Sequence, residues 1–215
     1  MILNKILGVV SFIADMLPLL LLLWYSKLLK STIYLSILIW SIISVVINVC
    51  IVTTVDSDIQ KYAYYTIIIE SIIVAIVCYN LYEKPIFKKS IVIIQTIMTA
   101  LSIIVYWGNN FDSFPNWLAS SCNLMVMVYC FFIFVDMFYE NSNSFLKLKA
   151  ELYIILGYFI YTSGCLFLYV FSDKLPNFFK NPGFWGIYLL ANIIKDVMIS
   201  KAIIVKSKGL KGIER

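Results

Sequence analysis

The chain has 215 residues, of which 62% are hydrophobic and 13% charged, with 17 Lys and Arg against 12 Asp and Glu. An apolar share this far above the roughly 45–50% of ordinary soluble domains excludes a water-soluble globule, because no soluble core hides that much apolar surface. The absence of His removes the commonest metal ligand and general base, and the positive residues sit singly or in pairs between apolar runs, a pattern of membrane topology and not of nucleic-acid binding.

About 20 apolar residues are needed to cross roughly 30 Å of hydrocarbon as a helix, and seven stretches meet that requirement. The first runs from Ile6 to Tyr25. Asp15 interrupts its apolar region and no small-x-small cleavage site follows, so it reads as a retained helix and not as a secretory signal. Pro18 lacks the N–H that would close the turn begun at Ala14, which predicts a kink one turn from Asp15. The second stretch, Ile33 to Thr54, carries Ser41, Ser44 and Asn48 on one face, and the third, Tyr62 to Leu81, carries Tyr62, Thr66 and Glu70. The fourth, Ile91 to Gly108, lines up Gln95, Thr99 and Ser102. Trp117 to Phe138 forms the fifth, with Asp136 near its end, and Leu152 to Phe171 the sixth, with Gly157, Tyr161 and Gly164 at helical spacing. The seventh, Phe184 to Val205, is the most polar, placing Tyr188, Asn192, Lys195 and Asp196 largely to one side, followed by Ser200 and Lys201.

The breaks fall at Ser26 to Lys30, Asp56 to Lys61, Glu83 to Lys89, Asn109 to Pro115, Glu140 to Lys149 and Ser172 to Pro182. None is long enough to hold a domain, so residues 1–215 read as a single all-α domain, a polytopic bundle of seven transmembrane helices. Positive residues near span ends are retained on the cytoplasmic side. One set of connections and the tail carry Lys27, Lys30, Lys84, Lys88, Lys89, Lys147, Lys149, Lys206, Lys208, Lys211 and Arg215, against Lys5, Lys61, Lys174 and Lys180 on the other side. That asymmetry predicts the N-terminus outside and the C-terminus inside. Trp24, Trp107, Trp117 and Trp185 fall near the predicted span ends, where amphipathic rings prefer to lie.

The five Cys, at positions 50, 78, 122, 130 and 165, lie within apolar runs without metal spacing and read as small buried side chains. The uncharged polar stripes read first as glue between helices. Ionisable residues are a sharper signal, because an unpaired charge at the bilayer centre costs at least about 2.5–3.5 kcal/mol. Asp15, Glu70, Lys195 and Asp196 all fall well inside spans, and with Asn192 they form the candidate intramembrane polar site. Two uses compete for them: an ion pair that fixes helix register, and a site that binds a polar solute or relays a proton. No nucleophile–base pair or catalytic carboxylate pair is identifiable, and no metal or cofactor is called for.

The Ala14-Asp15 pair before Pro18-Leu, the Gly157-Tyr-Phe-Ile-Tyr161 to Gly164 stretch and the Trp185 to Asn192-Ile-Ile-Lys195-Asp196 stretch resemble a family of small seven-helix membrane proteins of Bacteroidetes-type bacteria, often encoded near signalling genes. The family brings no established activity with it; the resemblance implies a seven-helix fold. Lys195 with Glu70 is also similar to the lysine and counter-ion of the rhodopsins, but the Arg and Asp-Trp pattern of the microbial third helix is missing, and an ion pair of Lys195 with the adjacent Asp196 is the simpler reading. The functional expectation is a sensory or accessory signalling subunit, with a small-solute or ion transporter using the polar interior as the alternative. The longest inner connections, Glu140 to Lys149 and Lys206 to Arg215, have about ten residues each, far short of the roughly 40 that independent folding needs. Besides the lipid bilayer, a sensory role therefore calls for a separate cytoplasmic or membrane partner.

Overall fold

The computed structural model describes residues 2–53, 56–108, 116–139, 149–172 and 182–213, with side-chain surroundings for 6–50, 65–108, 116–137, 150–171 and 186–209. The connections expected at Asn109–Pro115, Glu140–Lys149 and Ser172–Pro182 lie wholly or mostly outside the described residues. The same holds for Lys147, Lys174, Lys180 and Arg215, and for the side chains of Lys5, Lys61, Tyr62, Lys149, Trp185 and Lys211.

Among the described residues there are seven α-helices and no strand. They are α1 (Ile2–Trp24), α2 (Thr32–Thr53), α3 (Asp56–Leu81), α4 (Pro85–Gly108), α5 (Asn116–Tyr139), α6 (Lys149–Ser172) and α7 (Pro182–Ile213), with one 3-10 turn, Ser26–Lys30, after α1. Five of them (α1, α2, α4, α5 and α6) contain stretches long and apolar enough to cross a membrane, and α3 contributes the shorter apolar stretch Tyr65–Leu81. Continuous apolar runs fold this way because a backbone with no water to bond must satisfy its N–H and C=O groups within its own segment.

Helix ends depart from the sequence expectation in a consistent direction. The helix of the third stretch already begins at Asp56, the fourth at Pro85, and the seventh continues through Lys206 and Lys208 to Ile213. Hydropathy reports where a helix is apolar, whereas charged residues carry it onward beyond the hydrocarbon. Pro85 suits the first turn, where its missing N–H would be unpaired in any case. The link between α3 and α4 is thereby reduced to Tyr82, Glu83 and Lys84. Helix α1 runs continuously through Pro18, which is buried in its packed face.

Six helices close a ring in the order α1, α2, α3, α5, α6, α7 and back to α1, while α4 stands outside it against α3 and meets α5 only marginally. The sequence of α4 explains its place. Its buried residues are Ile91, Gln95 and Ser102, a single narrow stripe, whereas Val92, Ile93, Ile97, Ile104 and Trp107 are exposed. Helix α1 has a similar seam: Ser11, Ala14, Asp15, Pro18 and Leu22 are buried at three- and four-residue intervals, and Val9, Ile13, Leu20 and Leu23 face outward. An outer surface this apolar fits lipid. Trp24, Trp107 and Trp117, at helix ends, are exposed.

The interior is layered. At the end holding the α3–α4 link, Lys84 pairs with Asp136 of α5 at 3.0 Å and Lys206 of α7 with Glu151 of α6 at 2.6 Å. The Tyr82 hydroxyl there donates to the Tyr129 carbonyl at 3.1 Å, and burial pushes its phenol up, so it keeps its proton. Next comes an apolar layer including Leu22, Ile37, Val74, Cys78, Ile154 and Ile203. The polar network lies above it, and beyond that is a tyrosine-rich layer with Tyr161, Cys165 and Ala191. All five cysteines are unbridged.

Candidate functional site

Asp15 is brought to the ring interior by the seam of α1, and Asn192, Lys195 and Asp196 by the broad buried face of α7; all four are buried. The two faces meet because α1 and α7, the first and last helices, pack along each other. Asn192 donates through Nδ2 to Asp15 Oδ1 at 2.8 Å and to Ser11 Oγ at 3.1 Å. From α2, Asn48 donates to Asp15 Oδ2 at 2.6 Å. Each oxygen of the Asp15 carboxyl is thus held by an amide from a different helix.

Three residues further along α7, Lys195 points elsewhere. Its Nζ lies 2.9 Å from Glu70 Oε1 of α3, with side-chain exposures of 1% and 7%, so neither partner of the pair has water to fall back on. The ammonium also sits 4.2 Å from the ring centroid of Tyr161 and 5.5 Å from that of Trp40, positions in which aromatic faces stabilise a cation that has lost its hydration. Trp40 comes from α2 and Tyr161 from α6. A single lysine therefore links four helices. Its backbone is equally constrained, since a Cβ added at Gly157 of α6 would stand 3.1 Å from the Lys195 carbonyl oxygen. Glycine at 157 lets α6 approach α7 closely enough for Tyr161, one turn on, to cover the ammonium. Gly164 does the same against Ala191, where an added Cβ would meet a methyl at 3.2 Å.

Asp196 turns toward α1. Consecutive helical residues diverge by about 100°, which separates its side chain from that of Lys195, and its carboxyl faces that of Asp15. Its Oδ2 is buried without a hydrogen-bond partner, as is the hydroxyl of Tyr158 on α6.

The five expected site residues thus fall into two adjoining groups: Asp15, Asn192 and Asp196 between α1 and α7, and Lys195 with Glu70 across to α3. The sequence reading left four contributors out of the site. Asn48 lay on a recognised polar stripe, but nothing in the sequence tied that stripe to Asp15. Ser11 is one turn before Asp15 and could have been found from that spacing. Trp40 and Tyr161 carry no signal that separates a cation cover from ordinary aromatic packing. Away from the site, Glu151, one residue before the expected start of the sixth stretch, is a buried carboxyl, and Asp136, near the end of the fifth, pairs with Lys84.

Other polar stripes serve packing. Gln95 donates to Ser71 Oγ at 3.1 Å and thereby fastens α4 to α3, while Ser41, Thr162 and Ser163 bond to carbonyls of their own helices one turn back. No family model matches the chain, and neither a curated protein nor a solved structure does.

Proposed function

We propose that this chain is a seven-span protein of a bacterial inner membrane, N-terminus outside and C-terminus inside, that acts as a sensory or accessory subunit through a separate partner. The two helices that fall short on apolarity are long enough for the role: α3 has 26 residues and α7 has 32, about 39 and 48 Å at 1.5 Å per residue. Their mid-helix charges Glu70, Lys195 and Asp196 are turned inward, where a membrane helix tolerates them, while Lys201 and Lys208, nearer the basic end, are exposed. The orientation rests on the excess of Lys on one side. Kinship with the seven-helix proteins of Bacteroidetes-type bacteria rests on the Ala14-Asp15, Gly157–Gly164 and Asn192–Asp196 stretches.

The observation that carries the sensory reading is the continuity of α7. It holds Asn192, Lys195 and Asp196 in the buried network, then runs unbroken through Lys206 and Lys208 at the basic end. A rearrangement around Lys195 would move that end as one rigid rod about 16 Å away, eleven residues at 1.5 Å each. The same basic end offers the exposed Lys89, and Lys88 from its place over the Tyr79 ring, to a partner, whereas Lys84 is engaged by Asp136. Co-purification in mild detergent is expected to capture a partner, and Lys88→Gln with Lys89→Gln to weaken its association at least several-fold. Lys84→Gln should act on bundle stability instead.

A second reading, a small-solute or ion transporter, is favoured by the unpartnered oxygen of Asp196 beside a second carboxyl. Flux of a cation across liposomes by the purified chain, with no partner captured, would replace the sensory reading by this one.

A further inference from the structure

We infer that Asp15 and Asp196 form a binding site for one monovalent cation, a proton or a sodium ion, between α1 and α7. The inference rests on the network being the functional centre but favours neither the sensory nor the transport reading.

The starting observation is Asp196 Oδ2, which has no donor although the residue is 4% exposed. A buried carboxylate oxygen without a donor or counter-charge is costly in any protein and more so in a membrane. The charged and titratable groups around it come from four helices: Asp15 on α1, Glu70 on α3, Tyr158 on α6 and its neighbour Lys195 on α7. Three carboxyls therefore surround one ammonium, and that ammonium is spent on Glu70 at 2.9 Å. The remaining two carboxyls face each other. Asn48 and Asn192 give Asp15 its hydrogen bonds but no charge, so the pair still lacks a positive counterpart.

The chemistry of the surroundings sets the kind of occupant. Its ligands would be hard oxygens: the two carboxyls, Ser11 Oγ on the same face of α1, and the Ala14 carbonyl, to which Pro18 cannot donate the usual backbone bond. Among the described residues no three Cys, Asp or Glu side chains converge as a metal cage. Two carboxyls without a third suit a single charge better than a divalent ion, which gathers six or more oxygens, several of them charged. Proton and sodium ion satisfy the same deficit, and experiment separates them.

The test uses the full chain in nanodiscs, with thermal unfolding followed by tryptophan fluorescence. In one arm sodium chloride replaces choline chloride at constant ionic strength and alkaline pH; in the other, pH is varied without sodium. A ligand that binds only the folded state raises the midpoint, and for a proton this means a midpoint that falls as pH rises. A saturable sodium-dependent rise, lost in Asp196→Asn, identifies sodium; a pH dependence diminished in Asp196→Asn and in Asp15→Asn, without a sodium effect, identifies the proton. Equal responses of wild type and both variants in both arms overturn the inference. Should neither variant fold, infrared difference spectra of the wild type decide: sodium exchange or pH change must alter carboxyl stretching bands insulated from hydrogen exchange, and unchanged bands overturn it. Partner capture is unaffected by that failure, so loss of the cation site and loss of the sensory reading are separable.

Discussion

Lys195 is where one side chain decides the most. Replacing it by Met leaves Glu70 buried with no counter-charge, and breaking a buried pair from one side costs about 3–5 kcal/mol, far more than the roughly 0.6 kcal/mol of an average hydrogen bond between membrane helices. Lys195→Met is expected to lower the unfolding midpoint and expression sharply. Adding Glu70→Gln should restore a large part of the loss, because the second change removes the stranded charge. A single variant as stable as wild type in denaturant titration would show that the pair does not hold the bundle. The sequence made the inward orientation of Lys195 legible through cost alone, but not its partner. Cost leaves Glu70 and Asp196 equally available, and the simpler reading takes Asp196; the packing of α7 against α6 instead turns Lys195 toward α3 while Asp196 faces α1.

At the scale of elements, the α6–α7 contact depends on missing side chains. At Gly157 a methyl group would press on the Lys195 carbonyl and the Met198 Cβ, both at 3.1 Å, and backbone yields only if the helices separate. Overpacking of this kind costs about 1–3 kcal/mol. Gly157→Ala is expected to destabilise the bundle by an amount in that range, and Gly164→Ala by less, since its single neighbour is the Ala191 methyl. Equal losses at the two positions in thermal unfolding would contradict this account. The glycine spacing on α6 was visible in the sequence, as were the seven helical stretches, because apolar length and helical period are local properties. Helix ends were less legible: the starts at Asp56 and Pro85 and the run to Ile213 lie in polar sequence, where hydropathy is blind. The neighbour of each stripe was not legible at all. Periodicity states that Ser41, Ser44 and Asn48 share a face; it does not say that α1 lies opposite.

Across the whole molecule, the antiparallel succession of helices gathers the engaged cations Lys84 and Lys206 at one end, together with Lys88, Lys89 and Lys208. With that end inside, reporter fusions after Lys30, Lys89, Lys149 and Arg215 are expected to report a cytoplasmic position, and fusions at Asp112 and Lys174 an external one. An external signal at Arg215 would refute both the span count and the orientation proposed for α7.

The meeting of the first helix with the last has a consequence for how the protein is made. Asp15 leaves the ribosome 177 residues before Asn192, and Glu70 emerges 125 residues before Lys195. At about 5–20 residues per second of synthesis, both acids enter the bilayer many seconds ahead of their partners on α7. A nascent chain halted after α6 thus carries carboxyls whose intended companions do not yet exist, which marks it chemically as unfinished. Membrane-protein quality control would have a cue there. A truncation ending at Ser172 is expected to be degraded several-fold faster than the full chain in a pulse-chase measurement, and Asp15→Asn with Glu70→Gln to slow that degradation. Equal lifetimes of the truncation with and without these two changes would show that the waiting acids are not what the cell recognises.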